Sequence, residues 1–326
     1  MSSTAEATQP PPNDKRRWRK INIGELILPA FIIVYSGIVG LIEPRFLSAD
    51  NLDNLASQLA PLFVMSVGQA FAIISGGLDL SMAAVMSVSG IVGILAVPYV
   101  GVWGCVIVMA LVGSFIGLIT GYIIAYQRTS PFIVTLGMAS VATAIALILA
   151  HGVPIYTIPP ELSTVIGFGH VARVPVSFAI AVAMMLLGAF LLRRTVFGRY
   201  VYAIGSSKSA AIRSGISVPF YTMLVYCFAG FASGVSAVIL TSWVNAAQPV
   251  AEPDMTLRSI AAVVLGGIAL IGGSGGMIHV LYGCLILGAL SNSMTMIGVS
   301  SYYQILAVGI VIIVAVMLDR WRRRES

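Results

Sequence analysis

Ser75-Gly76-Gly77-Leu78-Asp79-Leu80-Ser81, SGGLDLS, sets a single carboxylate between two apolar runs, residues 59–74 before it and 82–99 after it. No other Asp, Glu, Lys or Arg lies between Asp53 and Arg128. A stretch that long without charge is written for lipid, where roughly 20 apolar residues cross the hydrocarbon core as one helix. The surrounding chain agrees. Its 326 residues are 58% hydrophobic and 9% charged, with a mean hydropathy of +0.98, whereas a soluble domain carries about 25% charged residues. We therefore read an all-α integral membrane protein with no room for a soluble domain.

Apolar segments fall at 26–42, 59–74, 82–99, 102–126, 132–150, 176–192, 221–244, 259–271, 278–297 and 302–318. Short cytoplasmic loops collect Lys and Arg, so a polytopic bundle of about ten spans with both termini cytoplasmic puts the basic groups at 15–20, 128, 193–213 and 320–324 on one face. Arg173 and Arg258 fall in the opposite loops, beside Glu161 and beside Glu252 and Asp254. The net charge of +6 is then explained by orientation, without a nucleic-acid partner. The expected divisions are a disordered basic tail at 1–22, a transmembrane domain at 23–319 and a second basic tail at 320–326. The start lacks an apolar core followed by a small-residue cleavage site and does not read as a signal peptide.

Few chemistries fit what lies inside the spans. Cys105, Cys227 and Cys284 lack metal-ligand spacing and read as packing residues. There is no H-E-x-x-H motif, and His151, His170 and His279 have no acids nearby in sequence. An ion-coupled secondary carrier for a small polar solute is the alternative function, but it normally keeps several ionisable groups at membrane depth. Only Asp79 and His279 approach that depth. GSSKS, residues 205–209, lacks the glycines of a Walker A loop, so ATP and Mg would bind a different chain and no metal or cofactor this one. Gly, Ala and Ser recur about four residues apart in GSFIGLITG (113–121) and AGFASGVSA (229–237), which lets helix backbones approach closely.

The polar break RRTVFGRYVYAIGSSKSAAIRSGISVPFY, 193–221, is too long and charged for a tight turn. Its Ala- and Ser-rich centre between Gly205, Gly215 and Pro219 predicts a short helix lying across the inner face. Here the sequence resembles a family. FGRYVYAIGSSKSAAIRSGISV is similar to the coupling loop of binding-protein-dependent ABC sugar permeases of the ribose, galactose and xylose type. So are ISGGLDLS (74–81), AQP (247–249), SIAAVVLGGIALIGGSGG (259–276) and GVSSYYQ (298–304), in the same order. The resemblance implies an inner-membrane permease that pairs with a second copy or a paralogue, cytoplasmic ABC ATPase subunits and a periplasmic sugar-binding protein. It also implies that a helix from Ser206 to Gly215 docks on the ATPase, through Gly205, Ser206, Ser207, Lys208, Ala210, Ala211, Arg213, Ser214 and Gly215, within a coupling loop of about 193–219.

The departures from that family matter too. Ser207-Lys208 stands where relatives usually carry Asn-Glu, Ile212 where they carry Arg, and Thr256 and Arg258 where they carry acids. Gly76 and Gly77 should end one helix at its inner end and Asp79 or Ser81 cap the next, at a gate on the cytoplasmic mouth. IGGSGGMIHV, 271–280, breaks the chain with similar chemistry, as a weak internal repeat would. Hydroxyl-binding side chains on the pathway are expected among Asn245, Gln248, Asn292, Tyr302, Tyr303 and Gln304.

Overall fold

The computed structural model describes residues 23–322, so the expected tail at 1–22 and residues 323–326 lie outside the described part. The fold is helical: α1 (Ile23–Ile42), α2 (Ala49–Ile74), α3 (Met82–Tyr126), α4 (Pro131–Leu149), a one-turn α5 (Pro160–Leu162), α6 (Val176–Arg194), α7 (Val196–Ser206), α8 (Lys208–Arg213), α9 (Val218–Val244), α10 (Met255–Leu265), α11 (Met277–Met296) and α12 (Ser301–Arg322). A small hairpin pairs β1 (His170–Val171) with β2 (Val174–Pro175). Among the described residues, six helices are long and apolar enough to cross a membrane. They divide by environment. The most apolar stretch of α2 is 94% buried and that of α4 only 17%, which makes α2 the axis of the bundle and leaves α4 on its outside.

α3 is two helices in one. Pro98 withdraws an N–H, and Gly101 (φ 74°, ψ 177°) leaves the helical region entirely. The chain folds back there, so that Gly93 packs on Met109 and Cys105. The break falls between the expected segments 82–99 and 102–126. Both halves pack on α9 in opposite directions. In the second half, a Cβ on Gly113 would collide with the Gly230 carbonyl, and one on Gly121 would stand 2.7 Å from Met223 O. The small-residue strings at 113–121 and 229–237 are thus the two sides of one seam, close enough to exclude any side chain.

The first half of α3 packs along the second half of α9. Ser236 Oγ lies 3.4 Å from Met86 Sδ. Gly68 fits where a Cβ would be 2.8 Å from Ala232 Cβ and 2.9 Å from Met82 Cε. Met82 therefore starts α3 beside the middle of α9, not at its end. The expected span at 259–271 is also replaced. The helix there is Met255–Leu265, of 11 residues, about 16 Å long and half the thickness of the hydrocarbon core. Gly267, Gly272, Gly273 and Gly275 all take positive φ and carry the chain on to α11 without helix.

At the end opposite α8, the segment after α4 lies over the α9–α10 loop. Ile155 and Ala247 exchange both backbone hydrogen bonds at 2.9 Å, and Ser163 Oγ donates to Asn245 Oδ1 at 2.6 Å. The β-hairpin reaches back to α2, where His170 Nε2 meets Asp53 Oδ2 at 2.9 Å. No sequence spacing could reveal this pair, since the two residues are 117 apart.

Two outcomes follow from this packing. Gly117→Val, whose side chain would be driven into the Tyr226 carbonyl, should cost about 1–3 kcal/mol and lower the melting temperature in detergent, with Gly137→Val, in open space, as the neutral control. The Asp53 carboxylate accepts from the imidazole and raises the His170 pKa above its usual value. A raised folded pKa means the link is fully present below the unfolded value near 6.5 and is lost as pH rises through the folded value. Amide protection factors in residues 170–174, with the intrinsic pH dependence of exchange divided out, should fall across that rise, and Asp53→Asn should remove that fall.

Candidate functional site

The site is built where two helices begin inside the protein. In the first break, Asp79 is 2% exposed. Its Oδ1 accepts from Ser81 N at 2.9 Å and from Ser81 Oγ at 2.6 Å. Ser81 therefore turns its hydroxyl to Asp79 and makes no side-chain cap to α3. The cap comes from elsewhere. Ala83 N, in the first turn of α3, donates to Thr256 Oγ1 at 2.9 Å, and Thr256 is in the first turn of α10. Two helix N-termini, each the positive end of a dipole, meet side by side.

Acids accompany both ends. Asp79 lies just before α3, and Asp254 directly precedes α10. Arg258 stands 2.9 Å from Asp254 and 3.6 Å from Glu252, tying the α10 acids together. Tyr226 OH reaches Leu78 O at 3.4 Å and Gly77 lies beneath that hydroxyl. This position corrects the expectation that Asp79 sits at the inner end of its helices. Residues 77–81 form no helix and bend at Leu80, and they carry the chain from the end of α2 to the middle of α9 before α3 begins.

Gln248 is brought to this junction. It lines a hollow with Met86, Ser87, Gly90, Thr241 and Glu252, roofed by the hydrogen bond from Ala251 N to Ser87 Oγ at 3.0 Å. A second hollow, on the other side of Glu252, is lined by Gln58, Arg258 and Ser291. Each holds about 50 Å³, room for water but far short of the roughly 300 Å³ of a small-molecule pocket.

The other pathway candidates lie apart from the junction. Asn245 ends α9 in the left-handed region (φ 55°), with its carbonyl taken by Ser163. Asn292 exchanges amide hydrogen bonds with Asn51 at 2.9 and 3.1 Å and joins α11 to α2. Gln304 donates to Thr295 Oγ1 and Val299 O, closing the α11–α12 turn. Tyr302 and Tyr303 are exposed.

The expected helix from Ser206 to Gly215 is shorter in the structure, because Ser206 closes α7 and Gly215 (φ 77°) terminates the chain segment after α8. Ser207 caps α8 by accepting from Ala210 N at 3.3 Å. Ala211 is the anchor, buried with Ile204 and Val218. Lys208, Ala210, Arg213 and Ser214 are exposed around Ile212, itself 57% exposed. Gly76 and Gly205 meet on the opposite side of α7. Sequence reasoning had marked Thr256 and Arg258 only as departures, and it missed Ser87 and Tyr226, whose partners are more than a hundred residues away.

Residues 51–316 match the family described as branched-chain amino acid transport system / permease component. The chain is 38% identical to the ribose import permease protein of Bacillus subtilis over 295 residues, 90% of this chain and 91% of that one. It is 34% identical to the ribose import permease protein of Haemophilus influenzae over 294 residues, 89% and 91% of the two. With the D-allose transport system permease protein of Escherichia coli the identity is 32% over 306 residues, 91% of each. No solved structure matches.

Thr256→Val keeps the shape of the side chain and deletes the acceptor for Ala83 N–H. It should cost about 1 kcal/mol locally and speed amide exchange in the first turn of α3, while Thr256→Ser preserves protection. Unchanged exchange in the Val variant would remove the cross-helix cap from the site.

Proposed function

Because the chain belongs to the branched-chain amino acid transport system / permease component family, we propose that it is the membrane subunit of an ABC importer, forming the path for a monosaccharide or related polyol. The observation that carries this is identity of 32–38% to ribose and allose permeases across about nine-tenths of both chains. The family is one of transporter permeases, not of catalytic enzymes, and the chain is a multi-pass membrane protein. Nothing favours the ion-coupled carrier. Although the family's description speaks of branched-chain amino acids, these relatives are named for sugars.

The bundle has about ten membrane passages, counting α3 as two and α10 as a half-length one, with both termini cytoplasmic, by the positive-inside argument. The permease domain is 23–319, and the basic tails at 1–22 and 320–326 lie in the cytoplasm of a bacterial cell whose inner membrane holds the protein. Two permease subunits, identical or paralogous, enclose the path, and the small hollows within one chain support placing it between chains. A periplasmic sugar-binding protein docks on the face formed by 150–175 and 245–254. ABC ATPase subunits, which bind ATP and Mg, receive α8.

The chemistry of α8 supports that last contact. It offers an apolar tip, Ile212, flanked by Lys208 and Arg213, and the sequence has no acid between Glu161 and Glu252. An amphipathic helix of this kind enters an apolar groove, and its charges favour an acidic rim. Nucleotide-driven closure of the ATPases would then move α8 and with it the helices behind it.

The test is ATP hydrolysis and uptake by the chain assembled in nanodiscs and vesicles with its ATPase, adding a loaded binding protein across pentoses, hexoses and polyols. Stimulation by one loaded receptor is expected. Lys208→Glu should weaken ATPase binding and reduce stimulated hydrolysis by about tenfold, the scale of a reversed charge at an interface. Uptake by the chain alone, without ATP, would instead establish a carrier.

A further inference from the structure

α7 lies between the exposed α8 and both helix breaks, and its closest contacts with the breaks are backbone on backbone. Gly205, near its C-terminus, sits against the carbonyl of Ile74, the last residue of α2, with no space for a Cβ. That same carbonyl accepts from Gly273 N at 2.8 Å, in the loop between α10 and α11. A Cβ on Gly205 would also lie 2.6 Å from Gly273 N, and one on Gly273 would lie 2.8 Å from Ser206 Cα. Gly272 completes the knot: a Cβ there would be 2.8 Å from Gly76 N. Three chain segments thus cross at van der Waals contact. One turn back, Tyr202 OH donates to Gly275 O at 2.7 Å, and Phe197 stacks on Phe71 of α2 at 5.8 Å.

These contacts close a mechanical ring. From the knot, one arm runs through Gly76 and Asp79 to the start of α3, and the other through α10. The arms meet again at the Ala83–Thr256 hydrogen bond. Close-packed backbones have no soft side chain to absorb a displacement, so movement at one side of such a ring is transmitted rather than lost. α8 is fastened to α7 by Ala211 on Ile204 and is separated from it by Ser207 alone.

We propose that Gly205, Gly273 and Tyr202 are positioning residues for transport: they bind α7 to the α2–α3 and α10–α11 breaks, so that a displacement of α8 moves both helix N-termini at the junction together. This rests on the ABC importer reading, which supplies the displacement.

The experiment uses the complete assembly of permease, ATPase and binding protein in vesicles, comparing Gly205→Ala, Gly273→Ala and Tyr202→Phe with the unaltered chain. Three quantities are read: ATPase retained with the permease, ATP hydrolysed, and sugar taken up per ATP. Retention should be unchanged, since none of the three side chains lies on the exposed face of α8. Sugar per ATP should fall by about five-fold or more, the scale of a coupling energy between sites. Tyr202→Phe removes one hydroxyl without changing volume and keeps the test decisive if the alanine variants fail to fold. The melting temperature of Tyr202→Phe identifies loss of fold, which would move hydrolysis and uptake together and leave their ratio intact. An unchanged ratio in a folded Tyr202→Phe or Gly205→Ala complex overturns the proposal. If the unaltered chain binds no ATPase, the importer reading fails, a result separable from any effect of the variants.

Discussion

A helix that begins inside a protein surrounded by lipid has bare N–H groups and no water to satisfy them, and each one left unpaired costs several kcal/mol. The architecture of this chain depends on how that need is met. α3 starts beside the middle of α9, and an N–H of its first turn is taken by the hydroxyl of Thr256. The Ser81 N–H is taken by Asp79. At the other end of α10, Gly273 N finds the last carbonyl of α2. Each break supplies what the other lacks. Neither hairpin could stop where it does without its neighbour, and this mutual dependence holds α2, α3, α10 and α11 in register.

Close approach sets the remaining distances. Water does not drive helices together in a bilayer, so packing must. At Gly113 and Gly230 the backbones of α3 and α9 touch, leaving no space for even a methyl group. The seam fixes α9 as a rigid post against which the first half of α3, the polar loop 245–254 and α2 are all aligned. On the far side of α2, the same close approach recurs at Gly205 and Gly273, but between the end of a helix and a loop. Glycine in the seam serves proximity only. Gly273 serves both proximity and a positive φ (75°) that other residues adopt at a cost.

Sequence legibility followed the range of the interaction. The apolar runs, the fold-back near Gly101 and the two small-residue strings were readable because periodicity and spacing are local. The SGGLDLS break was readable as a break, but its depth was not. Counting spans assumes that a chain leaving the membrane turns back at the surface, whereas residues 77–81 return as non-helical chain inside the protein. The half-length α10 was read as a span for a related reason: the apolar run 259–271 continues through residues that are not helical. Thr256 carries no mark of a cap, because the helix it caps starts 174 residues earlier and a capping signal is recognised only next to its own helix. Asn245 and Asn292 show the converse. Both are amides suited to a sugar, and both have their carbonyl oxygens engaged by the fold.

The charges at the junction bear on what it can pass. Broken helices whose N-termini open into a transport path attract anions. Here those ends already face Asp79 and Asp254, and Arg258 is paired with Asp254 and Glu252. Beside Glu252, the polar lining of the hollow is neutral and hydrogen-bonding: Ser87, Thr241 and Gln248. On the importer reading, a hollow with a weak polar lining suits an uncharged, hydroxylated solute that must enter and leave quickly. Tight selection then belongs to the binding protein, and the permease gains from holding the solute loosely, because affinity retained along the path would slow every transport cycle.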